Sequence, residues 1–117
     1  MRLALSIVLL VHGVAHLPGF AVAWTLMRSP ELPYRTTLFA GRLDAGDAGA
    51  RAGGVVWLLL AAVFAALAWM NWSSHPSFRA AAFAAVGVSS LMCLSGWPEA
   101  RIGLAANGLV VVLLLLR

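Results

Sequence analysis

Four long apolar blocks divide the chain, and none alternates hydrophobic and polar residues as the half-buried face of a soluble helix or strand would. They cover residues 3–27, 53–72, 78–96 and 98–116, with one polar stretch of any size, 28–52, between the first two. A run of about twenty apolar residues predicts a membrane-spanning helix. The pattern therefore predicts an all-α integral membrane four-helix bundle, a single domain over residues 1–117 with both termini on one side.

Breaks within the blocks refine this picture. Pro18 and Gly19 interrupt the first, and Pro18 cannot donate to the carbonyl of Val14. A kinked first helix follows, with a freed acceptor just beyond His16 that must find its partner inside the protein. In the second block the pairs Ala61/Ala65 and Ala62/Ala66 allow close helix approach, Trp57 lies inside, and Trp69 and Trp72 mark an interface. Residues 71–77 read as a short turn in which His75 is solvated. Gly96-Trp97-Pro98 ends the third block. Pro98 then suits the first turn of the fourth helix, with Glu99 near its positive end. In the 28–52 loop, Pro30, Pro33 and the Gly-Asp repeats argue against a fifth span.

Composition agrees. The 117 residues are 62% hydrophobic and only 10% charged, with mean hydropathy +0.94, where a soluble domain carries about a quarter charged residues. All eight basic residues are arginines, standing singly beside the apolar blocks as membrane-flanking anchors do. They form no basic tract, which excludes nucleic acid as a partner. Arg28, Arg35, Arg42, Arg51 and Arg101 fall on one side, and Arg2, Arg79 and Arg117 on the other. That excess favours the first loop in the cytoplasm and the N-terminal amine opposes it, so both orientations stay open. The Ala, Arg and Gly bias suits a bacterial inner membrane. Arg2, the apolar run and Ala21-Val22-Ala23 also resemble a cleavable signal with an A-x-A site, but two histidines in its centre favour a retained span.

Those histidines carry the functional reading. His12 and His16 are one turn apart on the same stripe of the first helix, at a depth where ionisable groups are expensive and face the bundle interior. Asn107 in the fourth block and Ser89, Ser90 and Cys93 in the third lie at comparable depth, so one polar pocket is expected. His12, His16, Asn107 and Ser90 are the expected ligand-binding residues. His12 and His16 with Cys93 form a candidate metal set, since imidazoles at i, i+4 can chelate Zn or Cu if other ligands complete the sphere. Two-histidine haem ligation within one chain is disfavoured, because both intramembrane histidines share a helix. A quinone could use imidazole and amide donors. The opposing reading makes the same groups hydrogen-bond glue between helices. Cys93 is the only cysteine, which excludes an internal disulfide. A second constellation, Asp44, Asp47 and Glu99 with Arg42, Arg51 and Arg101, is expected to form an interfacial polar network.

With these residues in view, the chain resembles small four-span bacterial membrane proteins of the DoxX-like kind. The resemblance rests on residues 12–20, His-Gly-Val-Ala-His-Leu-Pro-Gly-Phe. It continues with the Gly-Arg-Leu-Asp-Ala-Gly-Asp-Ala-Gly run at 41–49 and with Trp97-Pro98-Glu99-Ala100-Arg101-Ile102-Gly103 before Asn107. It implies a four-helix membrane bundle, and some members are linked to quinone reduction or sulfur oxidation, though no catalytic residue set carries over. The expectation is a noncatalytic subunit that works with copies of itself or with other membrane subunits. It would bind a lipophilic ligand or metal at the histidine pair. A quinone- or haem-linked redox subunit and a purely structural assembly subunit are the rival expectations.

Overall fold

The computed structural model describes residues 1–117. It is an all-α bundle of four helices, α1 (Arg2–Ala23), α2 (Gly46–Trp72), α3 (Phe78–Ser95) and α4 (Arg101–Leu116). A two-stranded antiparallel hairpin in the first loop, β1 (Thr37–Leu38) and β2 (Leu43–Asp44), is the only sheet. Leu, Val and Ala fill the helices, and α1, α2 and α3 are each long and apolar enough to cross a membrane. α4 is shorter, with 16 residues, or about 24 Å at 1.5 Å per residue. The longest dimension of the molecule, 41 Å, matches a bilayer with its headgroup regions, about 40–45 Å.

Element boundaries depart from the sequence reading in three places. α2 starts at Gly46 rather than near Gly53, so Asp47 and Arg51 lie on a helix instead of in the loop. α1 continues through Pro18 but stops at Ala23, not near Met27. Its end is a Schellman motif: Thr25 takes a left-handed backbone (φ 56°), its amide donates to Val22, and that of Leu26 donates to Ala21. α2 ends in the same way around Ser74, with φ 59°. Threonine replaces the usual glycine at the α1 stop, which hid it from a search for Gly and Pro punctuation. Finally, α4 begins at Arg101, and Pro98 sits in the preceding turn rather than in the helix.

Packing is graded along the bundle. The dry core fills the half nearest the α1 N-terminus, where Leu5, Leu9, Phe64, Leu67, Phe78, Ala82, Val110 and Leu114 are all but inaccessible. α1 and α2 approach most closely: a Cβ on Gly13 would lie 3.0 Å from the Ala61 carbonyl oxygen. Below the core, Asn71 donates to the Arg2 carbonyl at 2.9 Å and to Ser6 Oγ at 2.8 Å, and Ser6 Oγ donates to the Ala68 carbonyl. This second buried polar cluster was not foreseen, because Asn71 reads as a turn residue. Outward faces of the helices carry Ile7, Val11, Val14, Leu59, Leu91, Leu109 and Leu115, a lipid-compatible perimeter.

Candidate functional site

About halfway along the bundle the packing changes character. His12 and His16 project inward from α1 and are 4% and 3% exposed, Ser89 from α3 is fully buried, and Asn107 from α4 is 2% exposed. Four hydrogen bonds join them into a closed ring. His12 Nε2 lies 2.7 Å from Asn107 Oδ1, and Asn107 Nδ2 donates to Ser89 Oγ at 3.0 Å. Ser89 Oγ in turn lies 2.9 Å from His16 Nε2, and His16 Nδ1 lies 2.7 Å from the main-chain carbonyl of His12. The ring thus returns to the residue where it began.

Aromatic side chains of α2 hold the imidazoles in place. Phe64 meets His12 edge to face (centroids 4.6 Å apart, 82°) and stacks on His16 (5.2 Å, 28°). Trp57 stands 5.4 Å from His16, and the two imidazoles are nearly perpendicular to one another at 4.7 Å. Gly19 lies beneath the Trp57 ring, where a Cβ would come within 2.7 Å of Cγ, so a side chain there would displace the indole.

The side chains expected to converge do meet. Asn107 Nδ2 also reaches Ser90 Oγ at 3.2 Å and stands 4.0 Å from Cys93 Sγ. Ser89 takes the central position and Ser90 a peripheral one. Both are serines of one helix at successive positions, and only the helix rotation decides which of them faces His16.

The metal set of His12, His16 and Cys93 is not supported by the donor geometry. Both nitrogens of His16 and one of His12 are committed to the ring, and no three His, Cys, Asp or Glu side chains cluster as an ion would require. The Ser89–His16 contact has the distance of a nucleophile–base pair, and the His12 carbonyl orients the base. Ser89 is nevertheless sealed from every surface and also accepts from Asn107, so no substrate reaches it.

A cavity of about 220 Å³ opens beside the ring, in the cleft between α1 and α4. Ala15, Pro18, Gly19, Gly103 and Ala106 give it small walls, His12, His16, Cys93 and Glu99 are its polar members, and Ile102 stands at its edge. It is smaller than the ~300–1,000 Å³ of pockets for drug-sized ligands. It therefore admits a small molecule or one end of a longer one, and not a haem. A second cavity of about 140 Å³ lies under the first loop and shares Gly19, Leu32, Trp57, Glu99 and Ala100 with it.

The acidic constellation separates in the structure. Glu99 pairs at 2.8 Å with Arg35, not with Arg42, Arg51 or Arg101. Asp44 accepts from the Gly46 amide at 2.9 Å, which holds its carboxyl below the usual range, helped by Thr36. Asp47 accepts from the Tyr34 hydroxyl, and this bond pushes the phenol above its usual range. Arg51 lies 5.6 Å over the Trp24 ring, whose Nε1 donates to the Arg51 carbonyl. These contacts fasten the loop to the bundle, with Phe39 N donating to Ser95 O at 2.8 Å. His75 accepts from the Ser77 amide in its turn.

No protein-family model, curated protein or solved structure matches the chain. The functional reading accordingly rests on the geometry of the site.

Proposed function

We propose that this protein is a small integral membrane subunit, noncatalytic by itself, that takes a small lipophilic molecule from the bilayer into the α1–α4 cleft beside His12 and His16. The observation that carries the reading is the cavity itself. It lies at the depth of the buried histidines, Ala and Gly form the small-residue part of its walls, and it opens between α1 and α4, which pack more loosely than the helices adjacent in the chain. Small walls leave room for a ligand, and imidazole gives it one oriented contact. His16, Ser89 and Asn107 hold His12 in place, with Ser90 and Cys93 around them. Quinones fit only if the ring enters and the tail remains in lipid. The proposed setting is the inner membrane of a bacterium. All four helices cross there, and the apolar perimeter meets lipid, further copies or other membrane subunits.

The hydrogen-bond ring equally supports a structural role, since it ties α1, α3 and α4 together. Native mass spectrometry of protein extracted in lipid particles separates the two. A bound mass present in the wild type and lost on Ala106→Leu, which adds bulk to the cavity wall at a residue outside the ring, is the expected result. Identical bare spectra for both would leave the ring as helix glue alone.

A further inference from the structure

The ring of hydrogen bonds determines which end of His12 is offered to the cavity. Its starting point is a main-chain carbonyl, which can only accept. His16 Nδ1, 2.7 Å from the His12 carbonyl, must therefore carry the proton. The neutral imidazole then has a bare Nε2, so Ser89 donates its hydroxyl hydrogen to it across 2.9 Å. With that hydrogen spent, Ser89 can only accept from Asn107, which turns the amide nitrogen toward Ser89 and the amide oxygen toward His12. His12 Nε2 consequently carries the second proton, and its Nδ1 is a lone-pair acceptor.

Nδ1 of His12 makes no hydrogen bond in the structure, although the side chain is 4% exposed. Only Asn71 Oδ1 and Arg117 Nη1 are both sealed and unpartnered. His12 Nδ1 is therefore reachable, and the space that His12 borders is the α1–α4 cavity. Each proton in the ring is placed by its neighbour, so the acceptor cannot become a donor by a local tautomer change without breaking the ring.

From this we infer that the site selects a lipophilic molecule bearing a hydroxyl donor, an alcohol or phenol, whose O–H bonds to His12 Nδ1 and whose apolar remainder lies in the Ala- and Gly-lined cleft or in the bilayer. The inference rests on the ligand-site reading above and specifies its chemistry. A carbonyl or ether of the same shape brings only acceptors and meets lone pair with lone pair.

The test uses histidine-labelled full-length protein in lipid nanodiscs, followed by nitrogen NMR, with para-butylphenol and its methyl ether as probes. Only three histidines contribute signals. Without ligand, His12 is expected to show a protonated Nε2 and an unprotonated Nδ1. The phenol is expected to shift Nδ1 of His12 while leaving His75 unmoved, and to bind about tenfold more tightly than the ether, the effect of one net hydrogen bond. Ala106→Leu is expected to abolish the shift while preserving the tautomer. Phenol and ether binding equally, with both lost in Ala106→Leu, would overturn the donor rule and leave the ligand site standing. A protonated Nδ1 on ligand-free His12 would overturn the inference at its root. Binding of neither probe would overturn it as well, and the site reading falls too if native spectra of wild type and Ala106→Leu are alike.

Discussion

Replacing Gly13 with alanine puts the α1–α2 contact directly to the test. The new Cβ would lie 3.0 Å from the Ala61 carbonyl oxygen, 3.1 Å from Phe64 Cβ and 3.6 Å from the Ala65 amide nitrogen. None of these atoms is the free end of a flexible side chain, so α1 and α2 must move apart by a few tenths of an ångström. Overpacking of this kind costs about 1–3 kcal/mol, against which alanine recovers about 1 kcal/mol of helix propensity. A net loss of up to about 2 kcal/mol is expected. Gly87→Ala is the matched control, because its Cβ meets nothing within 4 Å and it sits inside α3. That variant keeps the propensity gain without a clash, and its stability should rise by up to about 1 kcal/mol. Equilibrium unfolding in mixed detergent micelles measures both, and the expected result is a change of opposite sign. Gly13→Ala as stable as Gly87→Ala would refute the close approach of α1 to α2. The Phe64 contacts that hold both imidazoles would fall with it.

Other consequences are read in different ways. Asn107→Leu strands His12 Nε2 and removes the bonds to Ser89 and Ser90, and should cost about 2–3 kcal/mol in the same unfolding assay. Ser90→Ala, by comparison, should cost under about 1 kcal/mol. Equal losses for the two would contradict the central place of Asn107. Tyr34 is the sole tyrosine, so phenolate absorbance reports it alone. Its pKa is raised chiefly by the bond to Asp47, so the contact is intact below the ordinary value of about 10 and is lost as pH climbs through the raised one. Asp47→Asn should move that titration down. Asp44 is depressed by the Gly46 amide, so its contribution is present above the ordinary value of about 3.9 and disappears as pH falls through the lowered one. Protection of the Gly46 amide, measured as hydrogen exchange relative to its intrinsic rate, should fall in that acid window, and in Asp44→Ala it should be absent at every pH.

How much of this was legible beforehand depends on which signal each feature uses. The helices announce themselves by composition, since a bilayer demands apolar runs and internally satisfied backbone. His12, His16 and Asn107 were visible because a polar side chain inside such a run needs a partner. Depth along each block placed them at the same level. The rotation of α3 was not legible: Ser89 and Ser90 are equivalent by depth, and only the packed bundle gives Ser89 the ring. The end of α1 was missed because Thr25 adopts the left-handed backbone that glycine usually marks. The charged pairs were missed for another reason. Arg35 reaches Glu99 across the first loop, and sequence places residues on a membrane side without fixing which of several arginines is near.

The histidine ring accomplishes two things that pull against each other in a bilayer. Every hydrogen-bonding hydrogen in it has an acceptor, which makes two imidazoles tolerable at mid-depth without charge. Closing the ring through Asn107 nevertheless leaves one lone pair over. A purely structural solution had a simple remedy, a larger residue at Ala106 to fill the cleft, and the sequence does not have one. An acceptor left without a donor in an apolar cleft costs up to about 1–3 kcal/mol, the full figure applying only where it is sealed. Part of that is regained whenever a donor enters the cleft, so the defect in the ring is itself a source of affinity. Glue explains the ring; it does not explain a cavity that borders His12 and His16.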